Sequence, residues 1–133
     1  MVVADYFQTH TLAQNKRVID DYIALLFHFW EHGVSDRAFK LPMNFGVTDD
    51  GRLILLDLGE LYFEKEKAFQ RVRARPWESV LISDEVLNDY HRGAMNRAMT
   101  LENVEMHWGR SLSDPKASSG PLIGAMPSPA TLR

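Results

Sequence analysis

Apolar residues recur at three- and four-residue spacing from residue 11 or 15 to residue 32. Val18, Ile19, Tyr22, Ile23, Leu26 and Trp30 fall on one side, with Lys16, Arg17, Asp20 and Asp21 elsewhere. The spacing predicts a helix, with Gly33 as its stop signal. Leu25, Phe27 and Phe29 make its second half apolar nearly all round, the pattern of a central helix touched from several sides. An irregular stretch is expected over 34–43. Two β-prone runs, 45–48 and 52–56, then flank Asp49, Asp50 and Gly51, and Asp-Gly between such runs signals a hairpin closed by a type I′ turn. With Asp50 and Gly51 as the two loop residues, Thr48 faces Leu53, Val47 faces Ile54, Phe45 faces Leu56 and Asn44 faces Asp57.

Residues 64–75 form an amphipathic block, with Ala68, Phe69 and Val72 inward and Lys65, Lys67, Arg71 and Arg73 outward. After Pro76 and Trp77, two more helices are predicted: 84–99, capped by Ser83, and 101–108, capped by Thr100 and ended by Gly109. The fold class is mainly α with one β-hairpin, an α+β arrangement of a hairpin embedded in helices.

Composition changes the picture near Ser111. From there on the chain carries four of its six prolines (Pro115, Pro121, Pro127 and Pro129) among Ser, Gly and Ala, which predicts one folded unit over 1–112 and a disordered tail over 113–133. At 133 residues, 45% hydrophobic and 25% charged, the chain has the size and balance of one soluble core. The lack of cysteine excludes thiolate zinc sites, iron–sulfur clusters, a cysteine nucleophile and disulfides, and makes the cytoplasm the default location. A net charge of -3 gives no reason to expect nucleic acid as the main partner. The uncharged apolar run 22–30 falls far short of the ~20 apolar residues of a membrane span, and the N-terminus lacks the pattern of a signal peptide.

The expected register places two oxygen chelators together at the open end of the hairpin. Directly opposed residues have Cβ atoms within ~5 Å, so the Asn44 amide oxygen and the Asp57 carboxylate could share a divalent cation. Asp57 also follows four apolar residues, Leu53, Ile54, Leu55 and Leu56. A carboxylate at the mouth of a buried strand is costly unless paired, and magnesium would pair it, while Gly59 lets the chain turn away. The plainer reading is that Asp57 caps the turn or the next helix and Asn44 merely starts a strand.

The run Pro42-Met43-Asn44, the Gly-containing turn, the Leu-Ile-Leu-Leu strand and Asp57-Leu58-Gly59 together resemble the catalytic-loop-to-DFG segment of the protein-kinase-like superfamily. The resemblance implies that Asn44 and Asp57 are magnesium ligands bridging the phosphates of ATP, that Leu58 replaces the usual Phe, and that Gly59 is the motif glycine. It also implies a kinase-like C-lobe architecture, with the long helix ending at Gly33 preceding the catalytic loop.

The departures are specific. Phe39 stands where the family has its catalytic Asp, and Asp36 is the nearest carboxylate that a longer loop could present as the base. Lys40 would be the cation on the phosphate side, and Gly46 stands where the family lays a large apolar residue beneath the adenine. No Gly-rich loop, no V-A-I-K lysine and no A-P-E signature occur, so the nucleotide-clamping lobe has no counterpart. The implied function is a degenerate or truncated kinase-like domain, with phosphoryl transfer only when a missing N-terminal lobe or a protein partner completes it. The alternative is a non-catalytic helical module that contacts a protein partner.

Three further motifs compete. His28-Phe29-Trp30-Glu31-His32 fits the H-x-x-E-H pattern of inverzincins, with Glu85 or Glu102 as nominal third ligands, against a reading in which His28 packs and His32 caps the helix. Arg71, Arg73 and Arg75 with Trp77 suit a phosphate or RNA contact, but interspersed Glu64, Glu66 and Glu78 favour a solvated face. His107 and Trp108 read as packing and capping residues.

Overall fold

A computed structural model describes residues 1–57, 59 and 61–113. Its central helix, α2 (Leu12–Glu31), begins at a capping box: the Thr11 hydroxyl accepts from the Gln14 N–H and the Gln14 side chain accepts from the Thr11 N–H. It ends where Gly33 takes φ +74°. Ile19, Tyr22, Leu25, Leu26 and Phe29 on this helix are wholly buried. At about 1.5–3 kcal/mol for each large apolar side chain, this row is the main source of cohesion. As its apolar second half predicts, the helix is touched from several sides, by β1 (Ser35–Asp36), β3 (Leu53–Leu55), α5 (Glu85–Ala98) and α6 (Leu101–His107).

A helix that the periodicity did not single out, α1 (Val3–Thr9), precedes it and buries Val3 and Phe7 one turn apart. Residues 34–43, expected to be irregular, contain β1 and the start of the short helix α3 (Leu41–Asn44). β2 (Phe45–Val47) and β3 form the expected hairpin, but its register is corrected by one residue: Phe45 pairs with Leu55, Gly46 with Ile54 and Val47 with Leu53. The loop has three residues, not two. The Gly51 N–H donates to the Thr48 carbonyl (2.9 Å), the Thr48 N–H to the Arg52 carbonyl (2.9 Å), and Gly51 alone takes positive φ, +85°. A type I turn followed by a left-handed glycine therefore replaces the type I′ turn.

A further strand pair accompanies the expected hairpin. β1 pairs antiparallel with β4 (Leu61–Tyr62), Ser35 opposite Tyr62 and Asp36 opposite Leu61, giving a second two-stranded sheet. The molecule is thus mainly helical with two small antiparallel sheets. α4 (Lys65–Ala74) buries Ala68 and Val72, with Phe69 half-buried. It ends at Arg75 in the left-handed region (φ 51°), and a 3-10 turn, Pro76–Ser79, then buries Trp77, whose indole N–H donates to Asn96 Oδ1 (2.8 Å).

α5 is capped by Asp84 rather than Ser83, the carboxylate accepting from the Leu87 N–H at 2.9 Å. Thr100 caps α6 as expected, and Gly109 follows with φ +73°. The Gly109 N–H then donates to the Trp30 carbonyl at 2.8 Å, tying the end of the described chain to α2. The tail expected over 113–133 lies, beyond residue 113, outside the described residues, as does Leu58. Among the described residues no helix is long and apolar enough to cross a membrane.

One buried group on α5 makes stability depend on pH. His91 is 1% exposed and its Nε2 has no hydrogen-bond partner among the described residues. Burial, reinforced by Arg92, lowers its pKa from 6.5 to about 4. Between those values the unfolded chain binds a proton that the folded chain refuses. The stability due to neutral His91 is therefore complete above pH 6.5 and is lost as pH falls towards 4, by about 3 kcal/mol in all. Urea unfolding from neutral pH down to about pH 4.5 should show His91→Leu losing less stability than the wild type on acidification. A difference between the two that does not change with pH would rule this out.

Candidate functional site

The loop between β1 and β2 is held from inside the core. Asp36 ends β1 with its side chain buried, where Oδ2 accepts from the Tyr22 hydroxyl (2.9 Å) and Oδ1 from the Ala38 N–H (3.2 Å). Burial first, then the adjacent Asp36 charge and the hydrogen bond to it, push the Tyr22 phenol well above its ordinary pKa, so Tyr22 remains a neutral donor. Phe39 sits at φ 53°, a conformation that costs an aromatic residue about 1 kcal/mol or more. Its ring is fully buried and meets Trp77 edge-on, with centroids 5.2 Å apart and planes at 70°. Burial of that ring offsets the backbone strain and fixes the path of the loop.

At the far end of the loop, the Leu56 N–H donates to the Asn44 carbonyl (2.8 Å), so Asn44 faces Leu56, and Asp57 lies one residue beyond. The expected Asn44–Asp57 pairing is thus displaced by the same single-residue slip as the hairpin. Asn44 is half-buried, with its Nδ2 inside and without a partner among the described residues. Oδ1, the cation-binding end of the carboxamide, lies on the opposite side of the group. Asp57 is exposed, and its Oδ1 accepts from the Gly59 N–H (2.9 Å), the turn-capping geometry of the plainer reading. Its second oxygen makes no such bond among the described residues.

A side chain at position 46 would meet the Met1 carbonyl at 3.1 Å and the Leu56 side chain at 3.4 Å. That side of β2 is occupied because the Val47 N–H donates to the Met1 carbonyl (2.7 Å) and the Met1 amine to the Val47 carbonyl (3.0 Å). Clefts of about 250 to 510 Å³ indent the described surface, and neither Asn44 nor Asp57 lines these.

Lys40 is exposed and does not turn towards that end. It lines a separate cleft of about 500 Å³ together with Arg37, Tyr62 and Arg71. Of these, only Lys40 and Arg71 had been singled out from the sequence. A readable signal for part of the cluster was the spacing of Lys67 and Arg71, which places two cations on one face of α4.

The competing motifs separate. Arg71 donates Nε to the Arg37 carbonyl (2.7 Å), Arg73 lies over the Phe69 ring (5.9 Å) and Arg75 pairs with Glu78 (3.8 Å). Trp77 is buried, so the three arginines and this indole do not form a stacking surface. The His28 and His32 rings are 4.6 Å apart, but Glu31 turns to His107 (3.3 Å). Among the described residues no three His, Asp or Glu side chains gather in a metal-holding group, so neither Glu85 nor Glu102 completes an inverzincin site. His107 stacks on Phe27 at 4.7 Å and Trp108 packs on the core, as their packing reading requires.

No family model matches the chain, and no curated protein or solved structure matches it.

The Tyr22–Asp36 bond yields a stability prediction. Tyr22→Phe should cost about 1–3 kcal/mol in urea unfolding, because the buried carboxylate loses a donor. In a double-mutant cycle with Asp36→Asn the two costs should fall short of additive by at least about 0.5 kcal/mol. Additive costs would show that the two side chains act independently.

Proposed function

We propose that the chain is a kinase-like C-lobe module that offers Asn44 and Asp57 to a magnesium-nucleotide complex, with phosphoryl transfer confined to a form completed by a second lobe or a protein partner. The observation that carries this reading is the meeting of the loop end with the chain leading into Asp57 at the Asn44–Leu56 hydrogen bond, with the Asn44 amide nitrogen turned inward. Two side-chain oxygens suit magnesium, which takes one or two protein ligands and draws the rest from phosphates and water. They do not suit a free-standing structural ion. When bound, magnesium neutralises charge on the phosphates.

The roles within this reading follow from placement. Asp57 supplies the carboxylate oxygen not bonded to Gly59, and Asn44 supplies Oδ1. Asp36, 1% exposed, is out of reach of an acceptor hydroxyl in this conformation, so its role here is to position the loop rather than accept a proton. The base of the nucleotide has no cradle at Gly46, where the Met1 carbonyl and Leu56 fill the space, which is why a completing element is required.

A second reading, a non-catalytic interaction module, is favoured by the exposure of Met43 (66%), Leu56 (49%) and Phe63 (65%). Thermal-shift titration separates the two. Mg-ATP should raise the melting temperature and ATP with EDTA should not, and Asp57→Asn should abolish the magnesium-dependent shift while leaving the unliganded melting temperature within about 2 °C. A shift that persists in Asp57→Asn, or no shift with Mg-ATP, would end the nucleotide reading for this chain.

A further inference from the structure

We infer that the cleft between the loop after β1, strand β4, helix α4 and the following 3-10 turn binds the phosphate group of a small organic phosphate monoester. The site lies apart from the Asn44–Asp57 end and does not rest on the kinase-like reading.

Charge and shape both point there. Arg37, Lys40 and Arg71 line a cleft of about 500 Å³, a volume within the usual range for small-molecule sites, and among the described residues no carboxylate lines it. Lys67 adds a fourth cation at its edge, since both Lys67 Nζ (5.6 Å) and Arg37 Cζ (6.0 Å) contact the Tyr62 ring. None of these four side chains pairs with a carboxylate among the described residues, although Arg52, Lys65, Arg75 and Arg92 all do. A protein of net charge -3 thus gathers three cations in the lining of one cleft and a fourth against the Tyr62 ring, none of them paired with a carboxylate among the described residues. Their mutual repulsion is relieved by a dianion and very little by a neutral ligand.

The geometry favours phosphate over diffuse anion attraction. The Arg71 guanidinium is fixed by its Nε bond to the Arg37 carbonyl (2.7 Å), which orients the remaining N–H donors instead of leaving them to solvent. A planar fork held in this way suits the bidentate recognition of phosphate oxygens, with Lys40 as a point charge beside it. The same bond ties α4 to the loop that Asp36 and Phe39 hold, so the cationic wall is carried on anchored backbone. Pro76 and Val80 line the same cleft and offer apolar contacts to the organic part of the ligand. That combination of cations and apolar contacts in one cleft is why a monoester fits better than inorganic phosphate alone.

The probe is phenyl phosphate, titrated into the full chain without magnesium and followed by amide chemical shifts and calorimetry. Saturable binding is expected at millimolar or lower concentration, tighter than for inorganic phosphate. Arg37→Gln and Lys40→Gln, both at exposed positions, should each weaken it at least about fivefold. Arg73→Gln removes the same charge from α4, outside the cleft, and should leave binding unchanged. Asp57→Asn should leave it unchanged as well, which separates failure of this site from failure of the nucleotide reading. The inference is overturned if phenyl phosphate does not bind saturably, if chloride at equal ionic strength produces the same shifts, or if Arg73→Gln weakens binding as much as Arg37→Gln. Binding of a phosphoserine peptide without binding of the free monoester would also overturn it, by assigning the cleft to a protein partner.

Discussion

A carboxylate in the core sets the conditions for the rest of the molecule. Asp36 is removed from water at the end of β1, and an ionised group so placed is tolerated only when donors meet it. One donor comes from Tyr22 on the central helix and another from the Ala38 N–H just ahead in the chain. The first bond fixes the loop against α2, and the second forces the backbone to fold back at once. Because Asp36 also pairs with Leu61 across the small sheet, the segment leaving the hairpin is registered against the same point. Helix, loop and returning strand are thereby tied together through one residue.

Beyond Asp36 the chain reaches Asn44 by a path longer than the kinase-like pattern allows, and the structure accounts for the extra length. Phe39 leaves the surface, takes a left-handed backbone and fills the space against Trp77, which is itself held by Asn96. Phe39 is thus a packing residue. Gly46 has an equally local reason: the backbone of Met1 lies where its side chain would project. Both departures from the pattern are positions at which this chain uses the space for cohesion.

The helices were legible because their signals are local. The apolar row of α2, the Thr11 and Thr100 caps, and Gly33 and Gly109 at the stops are each read within a turn or two. α1 was missed because its seven residues carry only two buried apolar positions. The hairpin was recognised but its register was not, since Asp-Gly suits a two-residue loop as well as the last two positions of a three-residue one, and only the Thr48–Arg52 pairing decides. That single residue moved Asn44 from opposite Asp57 to opposite Leu56, so an error at the turn was carried to the candidate site. The β1–β4 sheet was beyond reach for another reason: two strands of two residues each carry no periodicity, and their pairing is set by the core contacts of Asp36 and Leu61.

Whole-chain charge proved a poor guide to local field. A total of -3 describes the molecule at a distance, where exposed charges beyond a Debye length are screened. At the cleft the relevant sum is over Arg37, Lys40, Arg71 and the neighbouring Lys67, which come from a loop and a helix separated along the chain by β2, β3 and β4. The sequence shows those cations interspersed with Glu64 and Glu66, which suggests neutralisation along α4. Folding undoes that mixture, because a helix turns successive residues to different sides and the β1–β4 pairing delivers Tyr62 between the basic side chains of the loop and those of the helix. A net negative protein can therefore hold a strongly positive recess, and it is the topology of the small sheet, more than the composition, that creates it.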